Sequence, residues 1–170
     1  MTQSPNSRAV RRLCVSGVLG ALALALSYLE SLIPLPIPLP GVKLGLGNLC
    51  VLLALYLYSW RWAGLVLAVK ALLSSLLFAG LGALPYALCG GCLALLVMAC
   101  LKPCRALSPV GVSIAGAAAH GLGQVLLGAW LTATPQLLMY ATPLMLVGLC
   151  TGGALGWFVL WCEPRLRRFA

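Results

Sequence analysis

Residues 28–48 read Tyr-Leu-Glu-Ser-Leu-Ile-Pro-Leu-Pro-Ile-Pro-Leu-Pro-Gly-Val-Lys-Leu-Gly-Leu-Gly-Asn and separate two long apolar segments. Within this stretch the prolines occupy alternate positions, at Pro34, Pro36, Pro38 and Pro40. Proline fixes φ and has no backbone N–H, so alternate prolines exclude a helix and favour a stiff, extended path. The residues between the prolines are apolar, unlike those of a solvated linker. We therefore predict that residues 34–43 form a semi-rigid outer flap between two membrane helices.

The composition places the chain in a membrane. Of its 170 residues, 62% are hydrophobic and only 8% are charged, and the mean hydropathy is +1.07. Soluble domains carry about 25% charged residues, so this chain has too few charges to cover a water-facing surface. A bilayer-spanning helix needs roughly 20 apolar residues, which leaves room for about six. We expect an all-α integral membrane protein, with residues 1–170 folded as one domain of six transmembrane helices.

The apolar segments and their breaks define the expected helices. Residues 1–8 are polar and are expected to be disordered, whereas residues 163–170 form a basic tail. The expected helices cover residues 9–33, 44–58, 62–79, 83–101, 110–131 and 136–162.

The basic residues fix the expected orientation. With the N-terminus in the cytoplasm and six spans, nine of the 11 Lys and Arg residues fall on the cytoplasmic side. Such segregation follows the positive-inside rule, so we expect both termini, including the basic tail, in the cytoplasm. The net charge of +9 then reflects topology and contact with anionic lipid, and we expect no nucleic-acid partner. The nine residues are Arg8, Arg11, Arg12, Arg61, Lys102, Arg105, Arg165, Arg167 and Arg168.

A few polar side chains interrupt the apolar helices. Polar and ionisable residues within a membrane are expensive and mark function by default. At 1.5 Å per residue they fall in the middle and outer half of the bilayer, and most come from different helices. This distribution predicts an outward-facing polar cavity that binds a small molecule. The candidate ligand-binding residues are Glu30, Lys43, Asn48, Lys70, His120 and Gln124.

Each candidate also has a structural interpretation. Lys43 could place its ammonium at the outer interface, and Glu30 could pair with Lys43 and hold the flap closed. Lys70 could serve structure alone, although a mid-helix ammonium reaches neither interface without strain. His120 and Gln124, four residues apart on one helix face, could satisfy each other or a neighbouring helix.

Catalysis has little support in the sequence. The two acidic residues, Glu30 and Glu163, fall at opposite membrane faces, and the chain contains no aspartate for the magnesium sites of prenyl-diphosphate synthesis. Cys89-Gly-Gly-Cys92 has the spacing of redox and metal sites, but its glycines equally suit close helix packing. We expect no enzymatic activity, no metal and no cofactor.

Small residues on the first helix suggest a docking face. Gly17, Ala21 and Ala25 recur at four-residue intervals in its cytoplasmic half. Such a face lets another helix approach closely, either from a partner subunit or from within the bundle. Similar small-residue faces on the fifth and sixth helices are expected to serve packing within the bundle.

The segment Lys43-Leu-Gly-Leu-Gly-Asn48, with the proline-rich loop and the Leu-Glu before it, resembles the Gx transporter family. This bacterial family also carries the name heptaprenyl diphosphate synthase component I, and the resemblance covers nearly the whole chain. The family is similar to the substrate-binding (S) components of energy-coupling factor (ECF) vitamin transporters. That similarity implies six helices and a vitamin-like ligand near the outer face. It also implies docking of an Ala-x-x-x-Ala motif, here Ala21 and Ala25, on a transmembrane coupling subunit.

The sequence therefore predicts an S-component-like protein of a bacterial cytoplasmic membrane that captures a small anionic or amphipathic molecule from outside. Its expected partners are a coupling subunit and ATPase subunits, because the chain has no phosphate-binding loop of its own. One alternative is a non-catalytic accessory subunit of polyprenyl diphosphate synthesis, and another is a purely structural membrane subunit.

Overall fold

The computed structural model describes residues 5–33 and 45–167, so the predicted flap and Lys43 lie outside the described residues. Every regular element in the described ranges is helical. A π-helical turn, Ser75–Ala79, follows α3, and 3-10 turns precede α4 at Leu81–Ala83 and α6 at Pro135–Tyr140. The helices are α1 (Pro5–Ser31), α2 (Asn48–Leu57), α3 (Trp60–Ser74), α4 (Leu84–Leu101), α5 (Pro109–Leu131) and α6 (Ala141–Leu166).

Five segments are long and apolar enough to cross a membrane, and they contain α1, α3, α4, α5 and α6. The exception is α2, whose 10 residues extend about 15 Å, half of a hydrocarbon core. The predicted six α-helices are therefore present in the described chain, but only five of them have the length and apolar composition that a membrane span needs.

The start of α2 differs from the prediction for a local reason. The sequence pattern placed it at residue 44, whereas the structure begins it at Asn48. Gly45 has φ +88, a left-handed conformation that a helix cannot contain and that glycine adopts without strain. Asn48 is consequently the first residue of α2 rather than a residue one turn inside it.

Other helix boundaries also shift, by up to five residues. The helix α1 begins at Pro5, so the expectation of disorder was wrong for residues 5–8. An extended Ser59 precedes α3, which begins two residues earlier than predicted. At the other end of the chain, α6 continues to Leu166 and includes Pro164, so residues 163–166 of the predicted tail are helical.

The short helix α2 forms the centre of the core. All residues from Leu49 to Leu55 are buried, on every side of the helix. An α-helix that is apolar all round is stable only where protein surrounds it, and α2 contacts α1, α3, α4 and α6.

Small residues bring α4, α5 and α6 close together. A Cβ atom added at Gly123 of α5 would come within 3.0 Å of the Gly90 Cα of α4. One added at Gly152 of α6 would lie 2.8 Å from the Ala117 Cβ of α5. These backbone approaches confirm the predicted role of the small-residue faces of α5 and α6 in packing within the bundle.

Basic side chains gather at the end of the bundle where α2 terminates. Lys102 Nζ donates a hydrogen bond to the Leu55 carbonyl oxygen at 2.6 Å, and the Arg12 guanidinium lies over the Tyr58 ring. Partial burial, together with the neighbouring Arg167, lowers the pKa of Lys102 from its usual value. Cations at a helix C-terminus stabilise its last carbonyl groups. We call this the basic end; its assignment to the cytoplasm is still a prediction from the positive-inside rule.

Candidate functional site

A cavity lies among α1, α3, α4 and α5, at the end of the bundle opposite the basic end. The empty space between its lining residues is about 370 Å³, a volume that includes any part open to solvent. We call it the polar cavity because ionisable, amide and hydroxyl side chains form much of its wall. The lining residues are Ser27, Glu30, Gly45, Lys70, Ser74, Ser75, Ala79, Ala83, Ala87, His120 and Gln124.

Glu30 joins the end of α1 to the start of α2. Its side chain is only 3% exposed, and its two carboxylate oxygens accept hydrogen bonds from backbone N–H groups. Gly45 N–H donates to Oε1 at 2.5 Å, and Leu46 N–H donates to Oε2 at 3.1 Å. A carboxylate there also benefits from the positive end of the α2 dipole. Glu30 thus positions the segment that carries Asn48.

Lys70 lies two-thirds of the way along α3 and is 7% exposed. Its Nζ donates a hydrogen bond to Asn48 Oδ1 at 2.8 Å. An ammonium has three N–H donors, and this bond uses one of them. Asn48 is therefore a hydrogen-bond acceptor for Lys70. The sequence did not predict this contact, because the two residues lie far apart along the chain.

His120 and Gln124 form the α5 wall of the cavity. They are 4% and 1% exposed, and they lie one turn apart as predicted. Gly90 of α4 makes this arrangement possible, because a Cβ there would lie 3.1 Å from His120 Nδ1 and 2.8 Å from Gln124 Cγ.

Three serines in the cavity wall were not among the sequence candidates. Ser27 lies on α1 one turn before Glu30, and Ser74 lies on α3 one turn after Lys70. Ser27 and Ser74 could have been predicted from sequence, because each lies one helical turn from an ionisable candidate residue. Ser75 begins the π-helical turn, a feature common at functional sites but not readable from this sequence. Ser27 and Ser75 are each 1% exposed, and their hydroxyl groups have no hydrogen-bond partner among the described residues.

The backbone before α2 passes close to the cavity wall. A Cβ added at Gly47 would lie 2.5 Å from the Ser27 hydroxyl oxygen and 3.0 Å from the Lys70 Cε. Glycine at this position therefore lets the start of α2 contact both side chains directly.

The chemistry of the cavity favours an acceptor-rich guest. One ammonium and several hydroxyl groups can donate hydrogen bonds there, whereas the Glu30 carboxylate already accepts two within the protein. The space is narrow, with room for one or two water molecules. A vitamin-sized molecule therefore requires the cavity to widen as it enters.

The structure brings together all five of the predicted ligand-binding residues that it describes. Four of them line the polar cavity, and Asn48 is hydrogen-bonded to the cavity residue Lys70. The sixth, Lys43, lies outside the described residues. The predicted docking residues Gly17, Ala21 and Ala25 are exposed, so they take no part in packing within the described bundle.

Packing accounts for the glycines of the Cys89-Gly-Gly-Cys92 motif. Gly90 contacts α5, and a Cβ at Gly91 would collide with the Leu67 side chain of α3. Both cysteines are free thiols, and no cluster of three or more potential metal ligands occurs in the described chain.

Five membrane-length apolar helices, with a polar cavity among four of them, define the class: a helical, multi-pass membrane protein. The chain belongs to the family described as heptaprenyl diphosphate synthase component I, whose family model matches residues 19–160. This match confirms the predicted family resemblance. No curated protein and no solved structure matches the chain.

Proposed function

We propose that the protein is a substrate-capturing membrane subunit, like the S component of an ECF-type uptake transporter. In this function the polar cavity binds a small anionic molecule that arrives at the end opposite the basic end. Lys70 pairs with the anionic group, and Asn48, His120 and Gln124 orient the molecule. The molecule arrives from outside the bacterial cytoplasmic membrane.

The observation that carries the proposal is the burial of donor groups around a space inside an otherwise apolar bundle. Ser27 and Ser75 line this space, and their hydroxyl groups lack a partner among the described residues. Buried polar groups are normally hydrogen-bonded, since leaving one unsatisfied costs about 1–3 kcal/mol. A bound molecule that accepts their hydrogen bonds recovers this cost.

The exposed face of α1 supports a partner subunit. Gly17, Ala21 and Ala25 lie at its surface, and a Cβ added at Gly17 would meet no atom within 4 Å. Small residues permit close contact between membrane helices. We propose that a transmembrane coupling subunit docks on this face and that its ATPase subunits supply the energy for uptake.

An enzymatic role is not part of the proposal. The chain has two acidic residues, and the structure gives both of them other contacts. Glu30 accepts the N–H groups before α2, and Glu163 forms an ion pair with Arg167 one turn along α6. Neither arrangement resembles an acidic cluster that holds magnesium and a diphosphate.

The family description favours a second candidate, a membrane accessory subunit of heptaprenyl diphosphate synthesis. Such a subunit would hold a soluble synthase at the membrane, with catalysis confined to the synthase. The polar cavity would then serve lipid handling or have no ligand.

Affinity purification from native membranes distinguishes the two candidates. We expect the tagged protein to retain a transmembrane subunit and ATPase subunits, and Ala21→Leu together with Ala25→Leu to release them. Ala154→Leu is the matched control, because it makes the same change at an exposed alanine on another helix, α6. Recovery of a soluble prenyl synthase without ATPase subunits would favour the accessory role instead.

A further inference from the structure

A second cavity lies between α2, α4, α5 and α6, on the basic-end side of Asn48. Its empty space is about 310 Å³, counted in the same way as that of the polar cavity, and it is equally narrow, so a guest larger than one or two water molecules requires it to widen. Apart from Asn48 and Ser113, its lining residues are apolar or glycine, and we call it the apolar cavity. They are Gly45, Asn48, Leu52, Ala94, Met98, Ser113, Gly116, Ala117, Gly152 and Leu155.

The two cavities meet at the start of α2. Gly45 lines both of them, and Asn48 lines the apolar cavity while its Oδ1 accepts the hydrogen bond of Lys70 in the polar cavity. The Lys70–Asn48 hydrogen bond thus lies at their boundary. Asn48 is half-buried and is the first residue of its helix.

The walls of the apolar cavity suit an adaptable apolar guest. Protein interiors are close-packed, so space between small side chains such as Ala94 and Ala117 leaves dispersion contacts unmade. Met98 also lines the cavity, and its unbranched thioether can follow the shape of a bound group. An apolar group that entered would gain these contacts and leave water.

We propose that the captured molecule has two chemically distinct parts, an anionic group and an apolar chain or ring, which occupy the polar and apolar cavities respectively. This inference rests on the proposed function and specifies its ligand class. The anionic group, a carboxylate or a phosphate, takes the place of Asn48 Oδ1 as an acceptor for Lys70. The displaced Asn48 opens the boundary, and the apolar part passes beside Gly45 toward Ala94 and Met98.

Two homologous series of probes test the inference, n-alkyl carboxylates and n-alkyl monophosphates of two to ten carbons. Binding to the full chain in lipid nanodiscs is measured by titration calorimetry, and comparing the series identifies the preferred anion. Each methylene group that enters the apolar cavity should raise affinity about threefold to fourfold. Because longer chains also partition into lipid, the informative quantity is the ratio of wild-type to variant affinity at each chain length.

Two alanines on one face of α4 provide a matched pair of variants. Ala94 lines the apolar cavity and Ala87, two turns away, lines the polar cavity. Ala94→Leu should weaken the longest probes at least tenfold and leave the two-carbon probes within twofold of wild type. Ala87→Leu should weaken every chain length alike. Leu155→Phe fills the apolar cavity from α6 and replaces Ala94→Leu if that variant does not fold.

The outcomes separate this inference from the proposed function. If Lys70→Met abolishes binding of every probe while Ala94→Leu and Leu155→Phe leave all affinity ratios near one, capture of an anion stands and the apolar part is refuted. If Lys70→Met changes the binding of no probe, the proposed capture fails and the inference fails with it. Wild-type protein that binds neither series also overturns the inference.

Discussion

Replacing Glu30 with glutamine should destabilise the ligand-free protein, because the carboxylate organises the start of α2. It accepts N–H groups from Gly45 at 2.5 Å and from Leu46 at 3.1 Å, and it is 3% exposed. A hydrogen bond to a charged group contributes about 1.5–3 kcal/mol. Glutamine retains one acceptor oxygen but turns an NH₂ group toward the other N–H donor. Glu30→Gln should therefore lower the free energy of unfolding by about 2–3 kcal/mol.

Thermal unfolding in nanodiscs measures this effect, and Glu163→Gln is the matched control. For a chain of this size the predicted loss corresponds to a fall in melting temperature of about 4–12 °C. Glu163 pairs with Arg167, whose side chain is 61% exposed, so its loss should cost no more than about 1 kcal/mol. Equal melting temperatures for Glu30→Gln and the wild-type protein would refute the assignment of Glu30 to the start of α2.

Three other predictions address docking, packing and topology. Ala25→Leu should leave the protein folded but reduce recovery of a coupling subunit at least severalfold, and unchanged recovery would show that this face of α1 is idle. Gly123→Ala should destabilise by about 1–3 kcal/mol, because its Cβ would lie 3.0 Å from a backbone atom of α4. Gly82→Ala should leave stability unchanged, because a Cβ atom at Gly82 would meet no atom within 4 Å. Equal melting temperatures of the Gly123→Ala and Gly82→Ala variants would contradict the packing argument. Cysteines introduced one at a time into a cysteine-free background should be accessible in the order in, out, out, in, out, in, and labelling of the last one from outside would exclude cytoplasmic placement of both termini. The labelled positions are Ser4, Leu39, Gly82, Ser108, Ala133 and Phe169.

The helices could be predicted from sequence because hydropathy reports burial in a bilayer directly. The breaks at Gly80 and before Pro109 were located within one or two residues for the same reason. The start of α2 was misplaced because it depends on a tertiary contact. The apolar residues that flank Gly45 predict a helix there. In the structure, the left-handed backbone of Gly45 and its hydrogen bond to Glu30 keep this residue outside α2.

The members of the site were easier to predict than their contacts. Polar groups within a membrane are costly, so the sequence identifies Lys70, His120 and Gln124 as candidates. All three line one cavity. The bond from Lys70 to Asn48 joins residues 22 positions apart and has no signature in either helix. Ser75 was missed because a hydroxyl group alone is common in membrane helices and the π-helical turn is invisible in the sequence.

Native mass spectrometry of the protein purified from its own membranes tests the central claim, that the polar cavity captures a small molecule through Lys70. The wild-type protein should carry a small-molecule adduct. The control Lys102→Met, which removes a lysine at the basic end, should carry the same adduct at the same occupancy. Lys70→Met should be folded and lack the adduct. A folded Lys70→Met protein with the adduct at wild-type occupancy would contradict the account.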